Sequence, residues 1–477
     1  MKTRMIPYFL RELRRIRARE RWSRERVEAF REEQLARVRA HALAHSPYYR
    51  ELHRGLETAP LTALPTLSKT TMMAHFDDIV TDPDVRIADV RRHMRESLVP
   101  APFHGTYAIV TSSGSTGEVT IVLADPYELT YSLASASRAR AFAGFPWSPL
   151  RTRRAAEVVA TLPWAASGQL ARLERSRFAP LLHLNAGDPV DVLIPPLNEW
   201  QPELLEGYTT TLGVLAKAQI DGRLRITPLF VGPGGETMTP EVRSLIRQAW
   251  GQDPFDYYGT VEGGTHAVEC REGRSLHLLD DLLVMEVVDD DNQPVSPGEW
   301  GARVLVTPLW RRTQPLIRFE INDSVRMSDQ PCVCGRPFPV IEGLRGRTAR
   351  LIRLPRADGK GDVEVSSMAL TSMTELAVVW RRFSQEGDRL VLRVAGVLPG
   401  VDVPAAARAM ERTLVDLGAR PTAVEVEVLD EVPRTAAGKA PIGAVATPGT
   451  LEGRTPGATP SGVPPPDVPS SGAPPAA

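Results

Sequence analysis

The chain has 477 residues and a formal net charge of −1, since 57 basic residues face 58 acidic ones, so its overall charge gives no electrostatic case for a nucleic-acid partner. With 42% hydrophobic and 24% charged residues, it is long and apolar enough for two or three domains with a buried core. No apolar run is long enough to span a bilayer, and Met1 to Leu10 lacks the apolar core and cleavage site of a signal peptide, so a cytoplasmic protein with no membrane partner is expected.

In chain order, the arginine-dense run Arg11 to Arg26, interspersed with Ile16, Glu20, Trp22 and Glu25, predicts an amphipathic helix with a solvated charged face. Residues 25–58 predict helix, with Ala36, Val38, Ala40 and Leu43 on a recurring apolar spacing that Pro47 closes. Leu61 to Lys69 is a proline-punctuated connector to a further helix. Two β-rich runs, Tyr107 to Val110 and Val119 to Leu123, bracket a loop of small residues, giving strand, loop, strand.

Between about 128 and 250, helical stretches alternate with short apolar runs at Val158 to Leu162, Leu181 to Leu184 and Leu229 to Val231. That alternation predicts a mostly parallel α/β core, with Glu203 to Ile220 helical. Leu276 to Val306 is β-rich, with turns at Asp291-Asn292 and Ser296-Pro297-Gly298. Beyond Gly346-Arg347, strands Arg389 to Val394 and Val424 to Leu429 enclose a helix from Pro404 to Leu417, the pattern of a small α+β domain. The tail from Thr447 to Ala477, rich in Pro, Gly, Ser and Ala, is expected to be disordered. No internal repeat is present.

The loop Thr111-Ser112-Ser113-Gly114-Ser115-Thr116-Gly117 offers backbone N–H groups and hydroxyls to phosphate oxygens, with little side-chain bulk to block close approach. Taken alone, a loop of this composition is more often a plain linker. Gly114 and Gly117 are too close for the P-loop pattern, and Glu118 stands where a lysine might be expected, which excludes a P-loop nucleotidase.

The three cysteines are too few and odd in number for a disulfide framework. Cys270, Cys332 and Cys334 with one imidazole would complete a closed tetrahedral site for structural zinc (Zn2+). His277 is the preferred fourth ligand because Leu276-His277-Leu278 alternates like a strand, and His266 competes with it. Three buried thiols and an incidental histidine are the alternative.

Further rare pieces follow in order: Tyr258-Gly259-Thr260-Val261-Glu262, Pro315-Leu316-Ile317-Arg318, Asp323, and Pro433-Arg434-Thr435-Ala436-Ala437-Gly438-Lys439. With the Ser/Thr/Gly loop, this series resembles the adenylate-forming superfamily of acyl-CoA synthetases and adenylation domains, and within it the phenylacetate–CoA ligase branch. The resemblance runs from about Leu35 to Lys439. Particular to that branch are Ala44-His45-Ser46-Pro47-Tyr48-Tyr49-Arg50, Gln201 to Tyr208, the Glu269-Cys270 to Leu276-His277 spacing, and Pro331-Cys332-Val333-Cys334-Gly335-Arg336.

The resemblance implies an α/β fold with a large N-terminal adenylate-forming domain of mixed sheets and flanking helices, residues 1–345, that includes the zinc-binding segment 270–334. A small mobile α+β domain, 346–446, would carry the catalytic lysine loop, followed by the tail 447–477. It also implies that ATP and magnesium (Mg2+) activate a small carboxylic acid, aromatic or aryl-acetic, as an acyl-adenylate, with CoA as the co-substrate that accepts the acyl group. A carrier-protein thiol or an amine is the alternative acceptor, and a catalytically silent nucleotide-binding scaffold is the alternative of a different class.

Carried over residue by residue, Ser113, Gly114, Ser115, Thr116 and Gly117 would hold the β- and γ-phosphates. Gly234, Gly235 and Glu236 would line the adenine, Tyr258 and Gly259 would lie on the base, and Thr260 would approach the α-phosphate. Glu262 would bind magnesium, Asp323 the ribose hydroxyls, and Arg347 a further part of the nucleotide. Lys439 would bridge the carboxylate and the α-phosphate. Candidate walls of the acid pocket lie between Phe142 and Trp164 and around Tyr208, with Pro146, Trp147 and Trp164 suggesting an apolar cavity.

The chain departs from the family pattern at three places. Glu118 replaces a common lysine and removes a positive charge near the triphosphate. Thr348-Ala349-Arg350 follows the Gly-Arg hinge where acidic residues are usual. Phe319-Glu320-Ile321-Asn322 replaces a more polar run before Asp323.

Overall fold

The computed structural model describes residues 5–97, 101–112, 120–145, 152–159, 161, 164, 180–186, 188, 190–236, 238–347, 351–366, 378–386, 389–397, 401–416, 419–420 and 422–434. The phosphate-loop residues Ser113 to Gly117, together with Glu118, Pro146, Trp147, Thr348 to Arg350, Lys439 and the tail Thr447 to Ala477, lie outside them.

The N-terminal arginine run breaks into two helices, Ile6–Ala18 and Arg24–His45, because Ser23 caps the second one, its hydroxyl accepting from Arg26 N. The expected solvated face is only part of the outcome. Arg19 is buried and donates to Asp281 Oδ2 at 3.2 Å, while Arg24 and Arg31 reach Asp280 Oδ2 at 2.5 and 3.0 Å. The arginines therefore dock these helices onto a buried acidic pair that sequence spacing does not reveal. The apolar stripe of the second helix also differs from expectation: Val27, Val38 and Ala42 are buried, whereas Ala36 and Ala40 face outward. Pro47 ends that helix and also begins Pro47–Leu52, whose first turn is capped by Ser46.

Arg138 completes the docking site. Its guanidinium forks onto Asp281 at 2.7 and 3.0 Å with both side chains fully buried. Asp281→Asn leaves that guanidinium without its counter-charge and should cost about 3 kcal/mol of stability, read as a lower denaturation midpoint. An unchanged midpoint would mean that the ion cluster contributes nothing net.

Four parallel strands form the α/β core, in the order Leu181–Asn185, Ala155–Val159, Leu204–Tyr208, Phe230–Gly234. Helices Val190–Trp200, Thr209–Ile220 and Pro240–Trp250 pack on one face of this sheet. On the other lies helix Pro126–Phe142, fixed at its start by a capping box between Asp125 and Glu128. The expected helix Glu203 to Ile220 is corrected here, because Leu204–Tyr208 is a central strand and the helix begins only at Thr209. A Cβ on Gly207 would lie 2.8 Å from the Val158 carbonyl oxygen, so glycine is what lets this strand sit beside its neighbour.

A five-stranded antiparallel sheet follows, in the order Asp323–Met327, Val340–Arg347, Leu276–Leu278, Gly264–Glu269, Tyr257–Thr260. Beside it lie the three strands Leu283–Val288, Arg303–Pro308 and Phe319–Ile321. The expected turns hold, with positive φ at Asn292 and Gly298. Residues from Leu354 onward close a core of their own, in which Arg389–Val397 and Val424–Leu429 run parallel and are connected by helix Val403–Asp416. No described helix is long and apolar enough to cross a membrane.

Candidate active site and metal cluster

Strand Tyr257–Thr260 ends in the turn that carries Glu262. Its edge of the five-stranded sheet and the opposite edge, Asp323–Met327, meet because Tyr258 Oη donates to Asp323 Oδ2 at 2.7 Å. Asp323 also stands opposite Arg347 in the strand register. Three residues separated by up to 89 positions in the sequence are thereby gathered at one rim. The Arg347 side chain is outside the described residues.

Thr260 Oγ1 accepts from Gly263 N at 3.1 Å and lies 3.3 Å from His266 Nε2. His266 belongs to this site and not to the metal cluster. Its ring stands edge-on to Tyr258, with centroids 4.8 Å apart, and a Cβ at Gly263 would collide with it. Complete burial pushes the His266 pKa down to about 3, so the imidazole is neutral. Its pKa in the unfolded chain is near 6.5, so the unfolded state binds the extra proton as pH falls from about 6.5 towards 3. Stability present above about 6.5 is therefore lost by up to ~1.4 kcal/mol per pH unit across that window, or about 2 kcal/mol at pH 5. His266→Gln should flatten this slope; an identical pH profile for wild type and variant would refute the assignment.

The rest of the site is held by residues that motif reading passed over. Arg311 Nε donates to the Glu262 carbonyl at 2.5 Å, Nη2 to the Val261 carbonyl at 2.7 Å and Nη1 to the Leu123 carbonyl at 3.4 Å. Gln314 accepts from Leu123 N at 3.0 Å, and Glu128 accepts from Arg312 N and Thr313 N at 2.5 and 3.0 Å. This brace ties the Glu262 turn to strand Ile121–Ala124, directly after the Ser/Thr/Gly loop. The paired strands Ala108–Thr111 and Ile121–Ala124 agree with expectation, and Ser112 closes the loop's neck by accepting from Thr120 N at 2.9 Å. Glu262 is 6% exposed, and its carboxylate takes no hydrogen bond from another described residue, which leaves both oxygens open to a hard cation. The only sequence signal for the brace was the length of the polar run Arg311 to Gln314.

Another motif has a structural part. Tyr49 Oη donates to the Pro315 carbonyl and accepts from Ile317 N, both at 3.0 Å. Arg318 is buried, ion-paired with Glu286 at 3.1 Å and bonded to the Leu64 carbonyl. The Ser-Pro-Tyr-Tyr and Pro-Leu-Ile-Arg segments thus anchor each other.

At the carboxyl end of the parallel sheet, Gly234 packs under the Tyr257 ring so closely that a Cβ would lie 2.3 Å from it. Gly235 has φ +72. Glu236 turns its carboxylate to the start of helix Thr209–Ile220, accepting from Thr210 N and Oγ1 at 2.8 Å each. That helix has no cap from its own preceding residue, so a distant carboxylate satisfies one of its first N–H groups and faces its dipole.

The pocket expectations are corrected in part. Phe142 packs against His277, Phe338 and the Arg336 guanidinium, behind the metal cluster. Trp164 joins the cluster of Phe103 and Ile109. The sheet face towards helix Pro126–Phe142 is polar near its middle, where Arg140 forks onto Glu206 at 2.8 and 2.6 Å, with Glu157 3.7 Å away.

Cys270, His277, Cys332 and Cys334 converge so that their ligand atoms all lie within 4.8 Å of one another. Strand pairing Val340↔His277 sets the histidine against the loop that bears the last two cysteines. Cys270 Sγ is 3.6 Å from Cys332 Sγ, and Cys334 Sγ is 3.4 Å from His277 Nε2. A tetrahedral zinc with bonds of about 2.3 Å to sulfur needs edges of about 3.8 Å, so these spacings fit. His277 Nδ1 lies 3.1 Å from the Phe338 carbonyl, which fixes the tautomer with Nε2 free for a metal. Burial pushes the Cys270 thiol up to about 11. At Cys332, burial also raises the pKa, but hydrogen bonds from Ser275 and the Cys334 N–H outweigh it and the net direction is down. A divalent ion would supply the charge that three thiolates need here.

No family model matches the chain. A phenylacetate-coenzyme A ligase of Thermus thermophilus is 24% identical over 334 residues, 68% of this chain and 71% of that protein. One from Aromatoleum evansii is 23% identical over 319 residues, 65% of this chain and 68% of that protein. Among solved structures, a 2-hydroxyisobutyryl-CoA ligase in its postadenylation state superimposes with a TM-score of 0.67 at 19% identity, over 89% of this chain and 91% of that one. The fold is that of the adenylate-forming ligases. In sequence the chain is similar to phenylacetate-coenzyme A ligases over about two thirds of its length.

Proposed function

We propose that this protein is an acid–thiol ligase that converts a carboxylic acid to its acyl-adenylate with ATP and then to a CoA thioester. The observation that carries the proposal is the convergence at one rim of Tyr258, Asp323 and the Arg347 backbone, with the Glu262 turn braced against the neck of the Ser/Thr/Gly loop through Arg311.

In the first step a carboxylate oxygen attacks the α-phosphorus of ATP and pyrophosphate leaves. The enzyme must hold two anions together and neutralise the charge that builds at phosphorus. Tyr258 and Gly259 would lie against the adenine, with Gly235 and the Glu236 backbone along its edge. Asp323 would accept the ribose hydroxyls, and Arg347 would be a further nucleotide contact. Thr260 would face the α-phosphate, and Glu262 would hold magnesium, which offsets phosphate charge when bound. Ser113, Gly114, Ser115, Thr116 and Gly117 would take the outer phosphates, and Lys439 would sit between the reacting anions. In the second step the CoA thiol attacks the acyl carbonyl and AMP leaves.

In this reading residues 1–345 form the nucleotide-binding body, stapled by zinc on Cys270, His277, Cys332 and Cys334. Residues 346–446 form the mobile domain that presents the lysine. The acid is proposed to be aromatic or aryl-acetic, in line with the names of the two ligases matched in sequence. CoA is the acceptor those names share, and nothing in the comparisons favours a carrier protein or an amine.

The test is acid-dependent pyrophosphate release from ATP over aryl, aryl-acetic, hydroxy and aliphatic acids, each with and without CoA. Turnover of an aryl-acetic acid that requires CoA is the expected result. Release indifferent to CoA would remove CoA as acceptor, and silence with every acid would overturn the activity itself.

A further inference from the structure

The segment that leads to Lys439 crosses between the two cores before it leaves the described residues. Val432 packs both on the α/β core that contains Leu212 and Leu215 and on the Trp380–Ala395 pair of the C-terminal core. Two residues later, Arg434 Nη1 donates to Thr211 Oγ1 at 2.7 Å. Thr211 lies in the first turn of helix Thr209–Ile220, the turn that Glu236 caps through Thr210. Glu236 is also the first of the acidic groups whose charge acts on Arg434. One carboxylate therefore fixes the helix start and faces the guanidinium that binds the next residue of that turn.

We propose that Arg434 is a positioning residue for the adenylation step: bound to Thr211 beside Glu236, it latches the C-terminal core onto the nucleotide-binding body. The idea rests on the functional reading above, in which Lys439 acts on the α-phosphate. Lys439 lies five positions beyond Arg434, and extended chain covers at most about 18 Å over five steps. Pinning Arg434 at the helix start, next to Gly235 and Glu236, confines the lysine to a small volume around the proposed nucleotide site. Without the pin the lysine samples the wider volume swept by the whole C-terminal unit, and its effective concentration at the phosphate falls. Thioester formation from a finished adenylate has no use for that lysine between two anions, so the latch should matter to one half-reaction only.

Arg434→Ala, Arg434→Lys and Thr211→Val in the full-length protein test this. Adenylation is read as acid-dependent pyrophosphate release, and the second step as thioester formation from a synthetic acyl-adenylate and CoA. Arg434→Ala should lower kcat of adenylation about tenfold or more, ~1.4 kcal/mol, with KM for ATP within about twofold and the second step retained. Thr211→Val should shift kcat in the same direction, and Arg434→Lys should recover part of the loss. Equal losses in both steps, or a loss confined to KM for ATP, would overturn the latch and make Arg434 structural or a nucleotide contact.

Small-angle X-ray scattering gives a readout that needs no substrate. Arg434→Ala should broaden the distance distribution relative to wild type, and an unchanged curve refutes the latch whatever the activity. A wild-type protein silent towards every acid, but with the broader Arg434→Ala curve, would instead sink the proposed activity and leave the latch standing.

Discussion

Replacing Cys270 by serine is expected to strip the protein of its metal and to lower its denaturation midpoint by about 5 °C or more. The four ligand atoms lie within 4.8 Å of one another, and the residues that carry them come from three separate stretches: the end of strand Gly264–Glu269, strand Leu276–Leu278, and the loop before Val340–Arg347. A zinc there would cross-link three parts of one sheet, and its binding free energy, of order 10 kcal/mol for structural sites, would be available only to the folded chain. The cluster also backs the main core through Phe142 and Phe338. Serine keeps the shape and removes the soft thiolate. Elemental analysis should give about one zinc per wild-type chain and much less in the variant, and prolonged chelation of the wild type should lower its midpoint likewise. A metal-free wild type of full stability would eliminate the zinc site in favour of three buried thiols.

Lys439→Ala is expected to lower adenylation about a thousandfold, ~4 kcal/mol, while ATP still binds. Two anions must approach in this step, and a single ammonium between them offsets repulsion in a site where water is scarce. The described part of the site supplies acids, hydroxyls and a neutral His266, while the Arg311 guanidinium is committed to three backbone carbonyls. Glu118 adds an acid in the loop where the family often has a lysine. In the proposed mechanism, the charge that builds at phosphorus would therefore be offset by a cation brought by the C-terminal unit. Rates are to be read by pyrophosphate release and binding by calorimetry with ATP. Full activity in the variant would remove this lysine from the mechanism, and lost ATP binding would recast it as a ground-state contact.

Two errors of local reading share one cause. Leu204 to Glu206 invite a helical reading that Gly207 and Tyr208 do not support; Leu204–Tyr208 is a strand because it lies between two parallel neighbours that supply its hydrogen bonds. The arginine run looked solvated because its counter-charges, Asp280 and Asp281, lie some 250 residues away. Parallel core, turns and the crossover at the C-terminal end were legible, since each rests on periodicity or on glycine and proline within a short window.

Legible in the string alone was a resemblance to a ligase family, because ordered short motifs, each a local backbone shape or a reactive side chain, survive as strings. The string also offered a candidate metal set, with His266 as a rival to His277, and the structure brings the ligand atoms of Cys270, His277, Cys332 and Cys334 within 4.8 Å of one another. Only the tertiary structure decided the company those residues keep. Tyr258 bonds Asp323, Arg311 braces Glu262, Glu236 caps a helix, and Arg434 crosses to Thr211. Each of these contacts spans 26 or more positions, and no local pattern encodes a partner at that distance: it is set by strand order and by the burial that makes an unpaired polar group costly.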